Sequence, residues 1–232
     1  MTDTFTYLFG GWKSAEARRW VNPDGSQGGI IATSAKLDKS LVIPSDATIW
    51  PDACIGYRAS IGYRASIGYG ASIGYGASIG DGASIGDSAS IGYRASIGYR
   101  ASIGDGASIG DGASIGYRAS IGDGASIGYG ASIGDGASIG DSASIGDGDW
   151  WITSGPHGGN SRFVTAVHSR EHGLRWWVGC QHGITTDRFI ERIAKDHCPG
   201  GEYDDVAAEY HYLIACVESH PVYLKRIAEG SK

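Results

Sequence analysis

From Ile55 to Gly148 the sequence repeats one hexapeptide almost without change, Ile-Gly-(Tyr/Asp)-(Arg/Gly/Ser)-Ala-Ser. Sixteen isoleucines recur at six-residue steps from Ile55 to Ile145, and the same register extends back to Ile31 through four degenerate hexads. A short fixed period is typical of a solenoid, in which each unit packs only on its neighbours. Degenerate hexads are expected where a terminal segment must also serve as a cap.

The residue types of the hexad predict which side chains point inward. The isoleucine is predicted to enter the core, and the alanine faces inward near a corner. Serine and glycine flank the isoleucine along the chain, so on a strand they point outward. The two variable residues form the corner, where glycine provides permissive backbone angles. Isoleucines of successive turns then stack at about 4.8 Å, the spacing of hydrogen-bonded strands.

The hexad Ile61-Gly62-Tyr63-Arg64-Ala65-Ser66, like its copies, resembles the hexapeptide-repeat superfamily position by position. The pattern of that superfamily is an aliphatic residue, glycine, two variable residues, a small residue and one more variable residue. The resemblance covers about half the chain. It implies an all-β solenoid, a left-handed parallel β-helix shaped as a triangular prism, with three hexads in each coil of eighteen residues.

Two flanking segments are predicted to complete the molecule, an N-terminal cap at 1–30 and a C-terminal domain at 149–232, on either side of a β-helix at 31–148. An amphipathic piece at about 14–21 precedes a turn signal at 22–25. We expect Trp12, Trp20 and Val21 to cover the open end of the first coil. A membrane-surface helix is the alternative, but residues 1–30 carry three acids and three bases.

The C-terminal segment has the composition of an ordinary globular domain, and its pattern predicts a small α+β domain. The predicted elements are strands at 162–169 and 174–180, a helix at 187–197 capped by Thr186, a helix at 203–219 and a short last helix opened by Pro221. Its Gly155-Pro156 start and its Val178-Gly179-Cys180 sequence resemble a module appended to hexapeptide-repeat proteins of unknown function in bacteria and phages.

Arranging the repeat on the implied eighteen-residue coil gives three corners of different chemistry. The first corner carries Tyr57, Tyr75, Tyr93, Asp111, Tyr129 and Asp147; the second carries Tyr63, Asp81, Tyr99, Tyr117 and Asp135; the third carries Tyr69, Asp87, Asp105, Asp123 and Asp141. The repeat arginines all follow a tyrosine on the first two corners, at Arg58, Arg64, Arg94, Arg100 and Arg118.

Each set of corner residues has two interpretations. The tyrosines and arginines form a candidate interaction edge for a partner or a second subunit, since these types are enriched at interfaces; alternatively, they stack on the corners and cover their own coil. The acidic edge of Asp87, Asp105, Asp123 and Asp141 is either a cation-binding or docking edge or, as we favour, a series of solvated turn residues.

The repeat lacks the groups that catalysis requires. Enzymes of the superfamily are mainly acyltransferases, with a catalytic histidine at a site between adjacent subunits of a trimer. Here all seven histidines follow residue 156, and the repeat has no other group suited to proton transfer near neutral pH. We therefore expect no catalytic residue and no cofactor, and favour a non-enzymatic structural or interaction protein, a rigid scaffold with a docking domain, of phage-related origin. The alternative is an acyltransferase-like enzyme with its catalytic histidine in the C-terminal domain.

One candidate metal site is present in the C-terminal segment. It consists of Cys180, His182, His197 and Cys198. Zinc ligands are usually paired with two to four residues between them, a spacing that this set lacks. Reduced thiols and ordinary histidines are the interpretation that we favour.

Composition restricts the partners that we expect. The net charge is −6, no basic cluster indicates nucleic-acid binding, and no apolar run approaches the length of a membrane span. Four cysteines in 232 residues do not form a disulfide framework. We expect a homo-oligomer, a trimer by resemblance to the superfamily, with a protein partner bound through the C-terminal domain. The expected location is the cytoplasm, or a virion if the chain is encoded by a phage.

Overall fold

The structure is a computed structural model, and it describes residues 4–146, 149–157, 162–169, 173–178, 181–196, 204–221 and 224. Its main body is a parallel β-helix of about six turns, followed by a small C-terminal α+β region. The expected solenoid fold is therefore confirmed. No helix in these ranges is long and apolar enough to cross a membrane.

Most strands are two residues long and end on the aliphatic position of a hexad. In chain order the strands are β1 Thr4–Phe9, β2 Lys13–Val21, β3 Gln27–Ala32, β4 Lys36–Leu37, β5 Thr48–Ile49, β6 Cys54–Ile55, β7 Ser60–Ile61, β8 Ser66–Ile67, β9 Ser72–Ile73, β10 Ser78–Ile79, β11 Ser84–Ile85, β12 Ser90–Ile91, β13 Ser96–Ile97, β14 Ser102–Ile103, β15 Ser108–Ile109, β16 Ser114–Ile115, β17 Ser120–Ile121, β18 Ser126–Ile127, β19 Ser132–Ile133, β20 Ser138–Ile139, β21 Ser144–Ile145, β22 Trp150–His157, β23 Arg162–Ser169, β24 Gly173–Val178 and β25 Gln181–Ile184. The helices are α1 Thr186–Asp196 and α2 Asp204–Glu218.

Three sheets form the faces of the solenoid, because residues eighteen positions apart pair in parallel, as Ile49 does with Ile67. Face A is the sheet β1-β2-β3-β5-β8-β11-β14-β17-β20, face B is β4-β6-β9-β12-β15-β18-β21, and face C is β7-β10-β13-β16-β19. The isoleucine of every two-residue strand from Ile49 to Ile145 is at most 5% exposed. The predicted coil length and the inward isoleucines are therefore confirmed.

Before the last coil, the glycine that follows an isoleucine allows adjacent coils to approach closely. A Cβ atom added to Gly86 would lie 2.5 Å from Oδ1 of Asp105 and 2.6 Å from its backbone nitrogen. Such distances are far below van der Waals contact, so a side chain at this position would push two coils apart. The sequence pattern predicted only that this glycine points outward, and its steric role comes from the packing of coils.

The second variable residue of the hexad adopts the left-handed backbone conformation at the corners. Glycine occupies many of these sites, as at Gly76 and Gly112, where φ is +66° and +67°. The same conformation occurs at eight residues that are not glycine: Asp52, Arg58, Arg64, Ser88, Arg94, Arg100, Arg118 and Ser142. An L-residue in this region costs roughly 1–2 kcal/mol, so the arginine corners are strained in comparison with the glycine corners.

The N-terminal segment extends face A by three strands. The amphipathic piece expected at about 14–21 lies within β2, which pairs antiparallel with both β1 and β3. Trp20 is buried and donates from Nε1 to the carbonyl oxygen of Leu41 at 3.0 Å. Trp12 and Val21 are 66% and 54% exposed, so the expectation that they cover the first coil is wrong. Because β2 alternates its side chains between two faces, Val21 points away from Trp20.

Asn22 closes the first coil where face C lacks a strand. The chain around Ile43 is irregular, although Ile43 occupies the aliphatic position of its hexad and is fully buried. The Asn22 side chain accepts a hydrogen bond from the Ile43 N–H at 2.8 Å and donates to the Ile43 carbonyl at 3.3 Å. The Asn22 amide thus makes the two hydrogen bonds to Ile43 that a peptide group of a preceding coil would make.

The C-terminal region places a four-stranded antiparallel sheet, β22 to β25, between the solenoid and two helices. Alternate residues face opposite sides: Val167 and Trp177 join the solenoid core, whereas Val164 and Trp176 pack with α1 and α2. The hydroxyl of Thr165 donates to the Ser138 carbonyl at the end of face A, at 3.3 Å. The sheet therefore closes the C-terminal end of the rod.

The helices agree with the sequence pattern to within about a residue, but the strands do not all agree. The pattern missed β22 and β25, the two edge strands of the sheet. Thr185, rather than Thr186, caps α1 by accepting a hydrogen bond from the Arg188 N–H at 3.3 Å. The last helix predicted at Pro221 lies mostly outside the described residues.

Candidate functional site

Tyr57, Tyr75 and Tyr93 of the first corner are in ring contact across three successive coils. The rings of Tyr57 and Tyr75 lie 5.8 Å apart, and those of Tyr75 and Tyr93 lie 5.5 Å apart and nearly parallel. Arg58 donates to the Tyr75 hydroxyl at 3.1 Å, and the Arg94 guanidinium lies 4.9 Å from the ring of Tyr93. The aromatic rings are between a third and a half exposed, so the stack is accessible to solvent.

The second corner repeats this arrangement. The rings of Tyr99 and Tyr117 are parallel at 5.6 Å, and the guanidinium groups of Arg100 and Arg118 each lie 5.0 Å from the ring of the tyrosine that precedes them. Tyr63 is 62% exposed. A cation over an aromatic face is attracted by the ring quadrupole, and this attraction holds the guanidinium groups along the corner.

The third corner uses its carboxylates to bind backbone. Oδ1 of Asp105 accepts a hydrogen bond from the N–H of Asp87 in the preceding coil at 2.7 Å, and Asp123 accepts one from Asp105 at 2.8 Å. In the same way, Asp87 accepts a hydrogen bond from the N–H of Tyr69, and Asp141 accepts one from the N–H of Asp123. These contacts give each aspartate of the acidic edge a part in joining successive coils.

The N-terminal hairpin is attached to the third corner at Tyr69. The Lys13 ammonium lies 3.2 Å from the centre of the Tyr69 ring. A hydrogen bond to Asp52, together with the negative charge of that carboxylate, raises the pKa of the Tyr69 hydroxyl. The contact of Lys13 with the Tyr69 ring therefore joins β2 to the third corner of the solenoid.

The residues proposed for a metal site are not brought together in the part of the chain that the structure describes. Cys180, His197 and Cys198 lie outside the described residues, as does the side chain of His182. Among the residues that are described, no three His, Cys, Asp or Glu side chains form a metal-binding group. The metal site stays a prediction.

Three histidine side chains are described, all in the C-terminal region. His168 is half-buried on β23, opposite Trp150 and Leu174 in the neighbouring strands. It lies on the same face of the sheet as Val164 and Ala166, which pack with the helices. His211 is exposed on α2, and His220 follows that helix. Of these three described histidines, His168 is the one that combines partial burial with a position on a strand.

Comparison with known proteins finds similarity to transferases. A family model described as bacterial transferase hexapeptide (six repeats) matches residues 100–135. No curated protein matches the chain.

Several solved structures are similar to this chain over part of its length. A histidine-to-alanine mutant of GDP-perosamine N-acetyltransferase from Caulobacter crescentus, in complex with CoA and GDP-perosamine, is 23% identical with a TM-score of 0.46, over 53% of this chain and 54% of that chain. The acetyltransferase domain of PglB from Neisseria gonorrhoeae is 16% identical with a TM-score of 0.36, over 54% and 57%. UDP-N-acetylglucosamine O-acyltransferase from Moraxella catarrhalis is 19% identical with a TM-score of 0.39, over 82% and 88%. The chain spans about half the length of the first two proteins.

These comparisons correct two expectations. A non-enzymatic structural protein of phage-related origin was favoured, but the family model that matches residues 100–135 describes bacterial transferases. The same match contradicts the expectation that the chain is not an enzyme, and it favours the alternative of a transferase. The hexapeptide register, the eighteen-residue coils and the family-model match over residues 100–135 together support the hexapeptide-repeat superfamily of left-handed parallel β-helices for the repeat segment.

Proposed function

We propose that this chain is an acyltransferase-like enzyme whose proton-transferring group is a histidine of the C-terminal region. The observation that carries the proposal is His168, half-buried on the sheet that closes the end of a transferase-type solenoid. The solenoid itself contributes aspartate, tyrosine, arginine and serine, and no histidine or lysine occurs between Asp52 and Trp151. Proton transfer near neutral pH must then come from outside the repeat.

The chemistry that we propose is transfer of an acyl group from a thioester to an amine or a hydroxyl. A neutral imidazole takes the proton of the acceptor as the acceptor attacks the thioester carbonyl. The tetrahedral intermediate collapses, the carbon–sulfur bond breaks, and the imidazolium returns the proton to the thiolate. Acetyl-coenzyme A is the donor that we propose, because the similar Caulobacter enzyme was solved with CoA.

Assembly and location are further parts of the proposal. Hexapeptide-repeat transferases are commonly trimeric, which supports a homo-oligomer for this chain. A protein partner bound through the C-terminal region and a cytoplasmic location stay predictions.

The test is thiol release from acetyl-coenzyme A, measured with water alone and with a panel of amine and sugar acceptors. We expect turnover by the intact protein and a loss of about 100-fold or more in His168→Gln, the usual range for removal of a general base. His211→Gln is the matched control, because His211 is exposed on α2, and its rate should equal that of the intact protein.

Two outcomes contradict the proposal. If the intact protein neither binds coenzyme A in calorimetry nor releases thiol with any acceptor, the acyltransferase assignment is wrong. If His168→Gln and His211→Gln both keep full turnover, the assignment of the base to His168 is wrong.

A further inference from the structure

The C-terminal sheet and the residues before it cap the last coil at two of the three faces of the solenoid. At the end of face A the N–H of Gly140 donates to Oγ1 of Thr165 at 3.4 Å, and at the end of face B the N–H of Gly146 donates to Oδ2 of Asp149 at 2.7 Å. Gly134 holds the corresponding position at the end of face C. In the part of the chain that the structure describes, its N–H has no acceptor, so face C ends without a cap.

The last strand of face C keeps the hydrogen-bond donors with which other strands bind the following coil. In the preceding coil the N–H groups of Ser114 and Gly116 each donate at 2.8 Å to a carbonyl oxygen of the following coil. β19 is the terminal strand of face C, and the equivalent residues Ser132 and Gly134 are exposed. Two donors two residues apart match two carbonyl oxygens of an added parallel strand.

A third donor at this edge, the N–H of Asp135, matches a carboxylate. Wherever the following coil of the repeat has an aspartate at a described corner, Oδ1 of that aspartate accepts a hydrogen bond from the corner N–H one coil before it. Asp135 accepts from Tyr117 in this way at 2.7 Å. An aspartate also serves as the donor, since the N–H of Asp105 binds Oδ1 of Asp123 at 2.8 Å. The negative charge of Asp135 is therefore compatible with a carboxylate on its N–H.

Gly134 also leaves open the space that an added strand needs. A Cβ atom added to Gly116, one coil earlier, would lie 2.5 Å from Oδ1 of Asp135, and one added to Gly140 would lie 3.4 Å from Cβ of Trp177. A Cβ atom at Gly134 would meet nothing within 4 Å among the described residues. The room that the repeat leaves for a following coil is thus open to solvent at this face.

The core beside the edge restricts the side chains that an added strand can carry. Ala131 and Ala137, on either side of β19, are half-buried, whereas the hexad alanines from Ala47 to Ala125 are at most 7% exposed. Ile133 lies between them and is only 1% exposed, because the C-terminal sheet completes the core at this end. An added strand therefore has a small residue opposite Ile133 and covers the two alanines.

We propose that the C-terminal edge of face C binds an extended, aspartate-bearing segment of a partner protein, which adds one strand to the face. Two carbonyl oxygens of the segment accept from Ser132 and Gly134, and its aspartate accepts from the N–H of Asp135. The hexads of a second copy of this chain do not fit this role, since their backbone groups are already bonded within their own coils. This site is separate from the proposed acyl transfer.

NMR titration of the full chain with the peptide Ala-Ser-Ala-Gly-Asp-Gly-Ala tests the site, because NMR detects weak complexes at single amides. The peptide is the sequence of residues 101–107 with alanine in place of its isoleucine. We expect saturable shifts and slower hydrogen exchange at the amides of Ser132, Gly134 and Asp135, and little change at Ser114 and Gly116. Alanine in place of the aspartate of the peptide should weaken binding about tenfold or more, since a hydrogen bond to a charged group is lost.

Gly134→Ala is the matching change in the protein. The backbone at Gly134 is outside the left-handed region and its Cβ would meet no described atom, so the variant should unfold at the same temperature as the intact protein. Its methyl group occupies the place of the bound segment and should weaken binding about tenfold or more. Ser132→Ala is the matched control, because it removes an exposed hydroxyl from the same edge and keeps the N–H; it should bind like the intact protein.

Three results overturn the proposal. The peptide gives no saturable shift at these amides, or its mirror image built from D-residues binds equally well, or a folded Gly134→Ala keeps the affinity of the intact protein. Two further results assign the edge to another occupant and contradict a partner protein. A chain ending at Leu224 binds the peptide about tenfold more tightly, which assigns the edge to residues 225–232. Saturating peptide dissociates an assembly in sedimentation velocity, which assigns the edge to a second copy. None of these measurements uses turnover, so they are independent of the acyltransferase assignment.

Discussion

Glycine occurs at two positions of the hexad, after the isoleucine and at the corner, and the two glycines have different roles. The glycine after the isoleucine, such as Gly86, leaves room for the backbone of the next coil wherever a further coil follows. The corner glycine, such as Gly112, has φ of +67° and open space around the position where a Cβ would lie. The first is required by packing between coils, and the second by the backbone conformation of one residue.

Gly86→Ala should therefore cost more stability than Gly112→Ala. We expect about 3 kcal/mol or more for Gly86→Ala, since its methyl group meets the backbone of another coil and two coils must separate. Gly112→Ala should cost roughly 1–2 kcal/mol, the strain of an alanine in the left-handed region. The midpoints of urea unfolding measure the difference, and equal midpoints for the two variants would show that the close approach of coils is not what requires Gly86.

At the scale of elements, the ends of the solenoid are closed by specific hydrogen bonds as well as by apolar contact. Asn22 binds both backbone groups of Ile43, and at the other end Thr153 and Thr165 donate to the Ser138 carbonyl at 2.7 and 3.3 Å. The side chains of Asn22 and Thr165 are buried. A buried peptide group without a partner costs about 1–3 kcal/mol, so these residues protect the first and last coils from that cost.

Asn22→Ala removes the partners of Ile43 and should destabilise the fold by about 2 kcal/mol or more. Ser26→Ala is the matched control in the same turn. It removes the hydrogen bond from Asn22 at 3.1 Å but leaves both contacts to Ile43, and it should cost within about 1 kcal/mol. Thermal unfolding followed by circular dichroism compares them. A smaller loss in Asn22→Ala than in Ser26→Ala would contradict the capping role.

Strands with regular patterns could be predicted from the sequence, and irregular ones could not. The isoleucine period predicted the coils and their inward residues without coordinates. In β2 the pairing register with β3 shifts between Arg19 and Val21, which hides the alternation of a strand. β22 contains Gly155 and Pro156, residues that indicate a turn, and it tolerates them because it is an edge strand.

The residues on the three corners of the solenoid could be predicted from the sequence, but their contacts could not. Counting in steps of eighteen assigned tyrosines, arginines and aspartates to corners. The hydrogen bonds from corner backbone to Asp105 and Asp123, and the strain at the arginine positions, depend on the distance between coils and on φ. Neither quantity can be obtained from residue types alone.

At the scale of the whole molecule, one apolar core extends along the rod from Trp20 to Trp177. Each coil of this core contacts only the coils before and after it, as the pairing at eighteen-residue intervals shows. The stability of such an array is close to a sum of nearest-neighbour terms. Coil number should then be adjustable without loss of the fold.

Deleting residues 73–90 removes one coil and joins Ser72 to Ile91, which keeps every later residue on its face. The variant should fold and be shorter by about 4.8 Å. Deleting only residues 73–78 should also fold, but it turns the C-terminal region by about a third of a turn around the axis. Small-angle scattering and thermal unfolding measure both. Aggregation of the eighteen-residue deletion beside a folded six-residue deletion would contradict the coil model.

The closed ends have a consequence for aggregation. Coils of nearly identical sequence, stacked at about 4.8 Å with their hydrogen bonds along the axis, have the geometry of a cross-β fibril contained within one chain. What distinguishes this rod from a fibril is that non-repeating residues, described at 4–30, 149–157, 162–169 and 173–178, cover its ends. Proteolysis that removes either segment would uncover an unpaired coil, and that coil would be a template for amyloid growth by other copies.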